Sequence, residues 1–200
     1  MSVKLTKGQK VSLTKEAPGL KSIVVGLGWD AARPKGSGFL GSLFGSPTAD
    51  IDCDASAILL RNGKFVDRND LVFFNHLRHE SGAVVHTGDN LTGDGEGDDE
   101  QIIIDLQRVP AQYDRIVIVV NIYAAYQKKQ DFGLISNAFV RIVNQQNGQE
   151  MLRYNLTENY AGMTAMVFGE IYRHNGEWKF NAVGAGTRDG SISELCKRYS

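Results

Sequence analysis

The sequence predicts an all-β fold: a two-sheet antiparallel β-sandwich closed by a short C-terminal helix. Three observations carry this prediction. Asn-Gly pairs at Asn62-Gly63, Asn147-Gly148 and Asn175-Gly176 separate apolar segments, and this dipeptide supplies the positive φ angles that two-residue hairpin turns require. The segments around them are short and rich in β-branched and aromatic residues. Helical periodicity is scarce, so packed antiparallel sheets are favoured over an alternating α/β arrangement.

In chain order, Ser22 to Gly28 reads as the first strand. Ser56 to Leu60 and Leu71 to Phe74 flank the first Asn-Gly pair. Ile102 to Ile104 and Arg115 to Tyr123 follow, the latter holding the apolar run Ile116 to Val120. Ala138 to Val143, Met151 to Tyr154, Met163 to Tyr172 and Trp178 to Val183 complete the series. Ser191 followed by Glu194 has capping-box spacing ahead of Leu195 and Tyr199, which places the helix at the C-terminus. A single helical turn is expected before Pro110. Ala31 to Thr48, with four glycines and two prolines, reads as a solvated loop rather than a lid.

The 200 residues suit one domain spanning 1–200, and a chain of this length buries roughly 70% of its unfolded surface. With 22 basic against 23 acidic side chains the formal charge is -1, so no global field attracts nucleic acid. Cys53 and Cys196 lack CxxC spacing, which argues against a structural zinc site or a disulfide framework. The N-terminus lacks an apolar leader and no run reaches membrane-span length, so a cytoplasmic location is expected.

The strongest chemical signal is Gly88 to Glu100, which holds six acidic residues and four glycines and no basic residue. Carboxylates held about 4 Å apart repel by roughly 1 kcal/mol in water and about 4 kcal/mol at a surface-like dielectric. A divalent cation removes that cost, and oxygen donors with glycine-freed carbonyls suit Ca²⁺ better than Mg²⁺ or zinc. Asp50, Asp52 and Asp54 alternate with Ile51 and Cys53. On an extended chain that spacing turns the three carboxylates to one face. The expected calcium ligands are Asp52, Asp54, Asp89, Asn90, Asp94, Glu96, Asp98, Asp99 and Glu100, with both segments sharing a shell.

Neither segment fits an EF-hand: from Asp50, Ala55 and Arg61 fall where its turn glycine and bidentate glutamate belong, and from Asp89 the third and fifth positions are Leu91 and Gly93. A β-roll would need tandem repeats. Gly26-Leu27-Gly28 followed by Pro34 and Gly36 cannot open the helix of a dinucleotide site, and reads as a tight turn closing a strand, with Asp30 an additional candidate cation ligand. His76, His79 and His86 read as polar strand ends rather than metal ligands. Cys53 reads as a core residue rather than an oxidant sensor. No nucleophile or general base is nominated, so no catalytic residues and no enzymatic activity are expected.

Gly26-Leu27-Gly28-Trp29-Asp30, Asp52 to Ala57, His86 to Gly93 and Asp98 to Gln101, together with Asn137 to Ile142 and Met166 to His174, resemble the TerD-type tellurite-resistance and stress-response family over nearly the whole chain. The resemblance implies a cytoplasmic, bacterial, calcium-binding β-sandwich linked to resistance against tellurite and other stresses. Two departures are the glycine-rich insertion Ala31 to Pro47 and Cys53 in place of an aliphatic residue. The expectation is therefore a metal-dependent binding or scaffold module that takes two calcium ions and meets other stress-response proteins. One alternative is a C2-like module associating peripherally with membranes through Phe39, Leu40, Leu43 and Phe44. The other is a phosphoester enzyme using the ion as a Lewis acid.

Overall fold

The computed structural model describes residues 2–31, 51–88 and 97–200; the expected loop Ala31 to Thr48 beyond its first residue, Asp50 and the segment 89–96 lie outside the described residues. Twelve strands are described: β1 (Val3–Leu5), β2 (Lys10–Ser12), β3 (Ser22–Ala31), β4 (Cys53–Leu60), β5 (Leu71–Val72), β6 (Val84–His86), β7 (Glu100–Asp105), β8 (Arg115–Ile122), β9 (Ile135–Asn144), β10 (Gln149–Asn155), β11 (Ala165–His174) and β12 (Glu177–Thr187). Three short helices accompany them: α1 (Leu13–Glu16), α2 (Ala125–Lys128) and α3 (Ile192–Lys197).

One sheet runs β1-β10-β9-β3-β7-β6 and the other β2-β12-β11-β8-β4-β5. All pairings are antiparallel except β1 with β10. The two sheets face each other over one core. Ile23, Val25 and Leu27 of β3, Ile102 and Ile104 of β7, and Val140 and Ile142 of β9 meet Cys53, Ala55 and Leu59 of β4, Ile116 and Ile118 of β8, and Phe180 of β12. The strands at the sheet edges, β1, β2, β5 and β6, hold three residues or fewer. Short edges leave little unpaired ladder for another chain to join.

Every residue of β4 is buried, because a second, smaller cluster covers the other face of its sheet. Ile58 and Leu60 of β4, with Val117 and Val119 of β8, pack there against Leu195 and Cys196 of α3. Burial on both faces explains why Ile116 to Val120 is a continuous apolar run rather than an alternating one. Helix α3 begins as its sequence requires: Ser191 Oγ accepts the Glu194 N–H at 3.3 Å. The Glu194 carboxylate reaches back to the Gly190 N–H at 2.7 Å, one residue earlier than the capping-box pattern places it.

The Asn-Gly pairs divide. Asn62-Gly63 and Asn175-Gly176 carry positive φ at both residues, as a tight primed turn needs. Between β9 and β10 the residues 145–148 form a longer connection in which Gly148 has positive φ and Asn147 does not. The expected helical turn before Pro110 is a turn bonded to the Asp105 carbonyl by Arg108 and Val109, short of a helix. Among the described residues no helix is long and apolar enough to cross a membrane.

Because Leu195 is fully buried against β4 and β8, Leu195→Ala is expected to lower unfolding free energy by about 2–4 kcal/mol through the cavity it leaves. Urea denaturation measures this. An unchanged midpoint would show that α3 contributes nothing to the second cluster.

Candidate metal centre

The start of β7 lies across from the middle of β3, with Leu27 opposite Glu100 and Gly26 opposite Gln101. Since Leu27 points into the core, Glu100 does too, and Gly26 and Gln101 face outward. Three consecutive acids therefore meet three different environments.

Asp98 lies on the outer face, over Gly26. A Cβ added at Gly26 would sit 2.1 Å from Asp98 Oδ2, so the glycine is required by the carboxylate packed on it. Arg141, across from Gly26 on the other side, grips this carboxylate through Nε at 2.6 Å and Nη2 at 3.0 Å, and Gln101 Nε2 adds a bond at 3.0 Å. The Asp98 side chain is 1% exposed. Bonding to Asp98 is the first cause that raises the Arg141 pKa above its usual value. Gly28 plays a related role: a Cβ there would meet the Phe139 ring at 2.4 Å and the Gly97 carbonyl at 2.9 Å. Gly26 and Gly28 thus lie within a continuous strand, and the expected tight turn is corrected to two clearances for neighbouring groups.

Asp99 serves an irregularity in β3. The register with β9 shifts between Gly28 and Asp30, and the Trp29 N–H, at this bulge, donates to Asp99 Oδ2 at 2.7 Å. Asp30 Oδ2 accepts from Asn137 Nδ2 at 2.7 Å, which ties β3 to β9.

Glu100 bridges the two sheets. Its Oε2 accepts the Ala55 N–H of β4 at 2.5 Å and lies 3.6 Å from His86 Nε2. His86 is opposite Ile102 and therefore also inward-facing; both side chains are fully buried. His86 Nδ1 accepts the Gly88 N–H at 3.1 Å, so the ring proton of the neutral tautomer sits on Nε2, toward the carboxyl group.

On the facing sheet, Cys53 is fully buried in the core and Asp54 turns to the other side, where Asn121 Nδ2 meets its Oδ2 at 3.3 Å. The Asp52 carbonyl accepts the Tyr123 N–H at 2.8 Å. Its carboxylate lies 3.7 Å from Lys128 Nζ of α2. The Cys53 thiol is pushed well above the ordinary value of 9.0, first by burial and then by Asp54, Glu100, Asp52 and Asp99 in that order. The two acidic segments, 45 residues apart at Ala55 and Glu100, are thus neighbours in space.

The fold therefore brings Glu100 to the start of β4, beside the stretch that carries Asp52 and Asp54, while Asp54 faces away from the core and Asp98 lies on the outer face. Asp89, Asn90, Asp94 and Glu96 lie outside the described residues. The described residues include no group of three histidine, cysteine, aspartate or glutamate side chains close enough to hold a metal on its own. The donor chemistry nevertheless fits a hard cation, since the gathered groups are carboxylates and each can accept about four bonds, so that holding an N–H is compatible with ligating an ion.

The residues that sequence reasoning passed over are Arg141, Asn121 and Lys128, while His86, read as a polar strand end, does end β6 but is fully buried. His86 carried a legible signal, because it precedes Asp89, the first acid of the acidic segment, by three residues, with Val84 and Val85 marking a strand. Of the other histidines, His79 is buried in a separate network, with Nε2 at 3.2 Å from Tyr113 Oη and 3.5 Å from Asp70 Oδ1. His76 Nδ1 bonds the Leu71 carbonyl at 2.6 Å.

Gly26→Ala and Asp98→Asn should each cost about 2–4 kcal/mol in urea unfolding, the first by overpacking and the second by leaving Arg141 short of its partner. The losses should be equal with calcium and with chelator. A loss seen only in calcium would instead make Asp98 an ion ligand. The raised Cys53 pKa gives a second expectation. A thiol whose folded pKa exceeds its unfolded value contributes stability that is fully present below the unfolded value and is lost as pH rises through the folded one. Stability should fall as pH climbs beyond 9.0, and Cys53→Ala should flatten that fall. Native Cys53 should resist a thiol reagent at neutral pH and react only on unfolding; rapid labelling of the native chain would contradict its burial.

A TerD domain family model matches residues 1–199. The chain is 53% identical over 199 residues to the "Stress response protein SCP2" of Bacillus subtilis (strain 168), covering 100% of both chains. It is 49% identical over 200 residues to the "Tellurium resistance protein TerD" of Serratia marcescens, covering 100% of this chain and 97% of the relative. A solved structure of a homologue of telluride resistance protein (TerD) from Streptomyces coelicolor A3(2) superimposes with a TM-score of 0.65 at 22% identity, over 91% of this chain and 99% of that one, which shows the shared fold. Matched along its length by the family model and by relatives near half identity, this chain belongs to the TerD family of tellurium-resistance and stress-response proteins.

Proposed function

We propose that this protein is a calcium-binding module of the cytoplasmic stress response, which uses the ion to shape a surface for partner proteins and carries out no catalysis. The observation that supports the reading is the bond from the Ala55 N–H to Glu100, which brings the Asp98 to Glu100 run of one sheet beside the Asp52 to Asp54 stretch of the other. Folding alone would not bring like charges together, because separation in the unfolded chain relieves their repulsion. A divalent cation at this end of the sandwich offsets that repulsion. In this reading the acids of the intervening segment, Asp89, Asp94 and Glu96 with Asn90, complete the shell and accommodate two ions.

The carboxylates hold calcium and at the same time link elements. Asp99 orders the β3 bulge, Glu100 joins the two sheets and Asp54 meets β8. Binding would therefore stiffen the end of the sandwich from which α2 projects, and the exposed Tyr123 and Tyr126 lie on that projection. The family's link to tellurium resistance enters through such a surface rather than through a reaction.

Calorimetric melts and isothermal titration of chelator-treated protein test the proposal. Calcium at 100 times its dissociation constant should add about 2.7 kcal/mol of stability. Asp52→Asn combined with Asp54→Asn should remove much of that gain. Lack of heat up to about millimolar calcium, the weak end of protein sites, would overturn the proposal. Retention of the full gain in the double variant would confine the site to the segment after Gly88.

A further inference from the structure

Between α3 and the edge strand β5 the outer face of the second sheet opens into a cleft of about 320 Å³. Its apolar lining is Phe65, Leu71, Phe73 and Ile192, and two cations, Arg68 and Lys197, border it. The volume lies at the lower end of the range of about 300–1,000 Å³ that holds small ligands. None of these residues belongs to the acidic group around Cys53.

The apolar side of the cleft continues the second cluster. Leu71 is part of that cluster, and Phe65, Phe73 and Ile192 pack against it while remaining partly exposed. The Phe65 N–H donates to the Tyr199 carbonyl at 2.7 Å, which ties the Phe65 segment to the end of the helical segment. A half-covered apolar surface of this kind gains free energy when an apolar body is laid on it.

The two cations bordering the cleft are not among those that pair with a carboxylate here. Arg61, Arg115, Arg141 and Arg198 each meet a carboxylate within 3.0 Å. Arg68 and Lys197 meet none among the described residues. The acids flanking Arg68 are already engaged: Asp67 caps the 3₁₀ turn Arg68–Asp70 by accepting the Asn69 N–H at 2.9 Å, and Asp70 is bonded to Tyr113 and Arg61. Lys197, in the last turn of α3, approaches the same cleft from the other wall.

We propose that this cleft binds an amphipathic monoanion, a medium-chain acyl carboxylate whose head lies between Arg68 and Lys197 and whose tail covers Phe65, Leu71, Phe73 and Ile192. An inorganic anion would satisfy the cations and leave the apolar lining wet. A neutral hydrocarbon would do the reverse. An acyl carboxylate answers both walls, with charge-assisted bonds at one end and buried apolar area at the other.

Titration of the isotope-labelled full-length chain with decanoate, kept below its micelle-forming concentration, tests this by amide chemical shifts. Saturable shifts are expected around Phe65 to Phe73 and Ile192 to Lys197. Arg68→Ala combined with Lys197→Ala should weaken binding about tenfold or more, the scale of a charge-assisted bond lost. Both positions are exposed, so the variant is expected to fold, and its melting curve checks that it does. Decanol should bind more weakly than decanoate by a similar factor. Absent or non-saturable shifts, equal binding of decanol and decanoate, or full affinity in the double variant would each overturn the proposal. So would sedimentation with anionic phospholipid vesicles that depends on Arg68 and Lys197 while free decanoate fails to bind, since the face would then be a membrane contact. The measurement is made in chelator, so its outcome stands apart from calcium binding.

Discussion

A carboxyl group placed between two packed sheets must find partners or destabilise the fold by several kcal/mol, and Glu100 is the group on which this constraint falls. It is fully buried, and it meets Ala55 of the opposite sheet and faces the His86 ring. Through it the first residue of β7 fixes where the start of β4 lies. Asp52 and Asp54 follow, because Ile51 and Cys53 fill core positions on the same stretch of chain. The spacing of the two sheets and the proximity of the acidic groups are thus set by one interaction.

The run Asp98-Asp99-Glu100 shows how a strand's beginning divides like charges. Asp98 is drawn to the outer face by Arg141 and needs Gly26 beneath it. Asp99 meets the bulge at Trp29, and Glu100 turns inward. Had all three faced one way, their mutual repulsion would compete with the pairing of β7 to β3. The glycines of β3 are the counterpart of this division, since each leaves room for a group that the β7 approach brings across the sheet.

Much of the sandwich was legible because its signals are local. The Asn-Gly turns at Asn62 and Asn175 and the Ser191 cap follow from the backbone preferences of a few residues, and Ile116 to Val120 announces a strand buried on both sides. Leu71 to Phe74 was legible as a strand and begins where β5 does, whereas β6 stayed out of the series, and β1 and β2 hold their places through partners far along the chain. The association of the Asp52 and Asp99 regions was legible as shared charge without cations between them. The departure of Asp98 was not, because it depends on Arg141, 43 residues away. Gly26 and Gly28 looked like a turn because glycine reports a need for space without naming what fills it.

Charge balance around Cys53 explains why the chain invests positions in placing Lys128. Four carboxylates act on that thiol, and the Lys128 ammonium, 3.7 Å from Asp52, is the cation of an ion pair at this end. Lys128 also lies over the Tyr123 ring at 5.1 Å, on a helix bracketed by Ala124 and Lys129, both with positive φ. Such backbone costs about 1 kcal/mol or more per residue outside glycine, and persists where surrounding contacts outweigh it. Attraction between a tethered ammonium and clustered carboxylates is one such contact. It lowers the repulsion at this end of the sandwich.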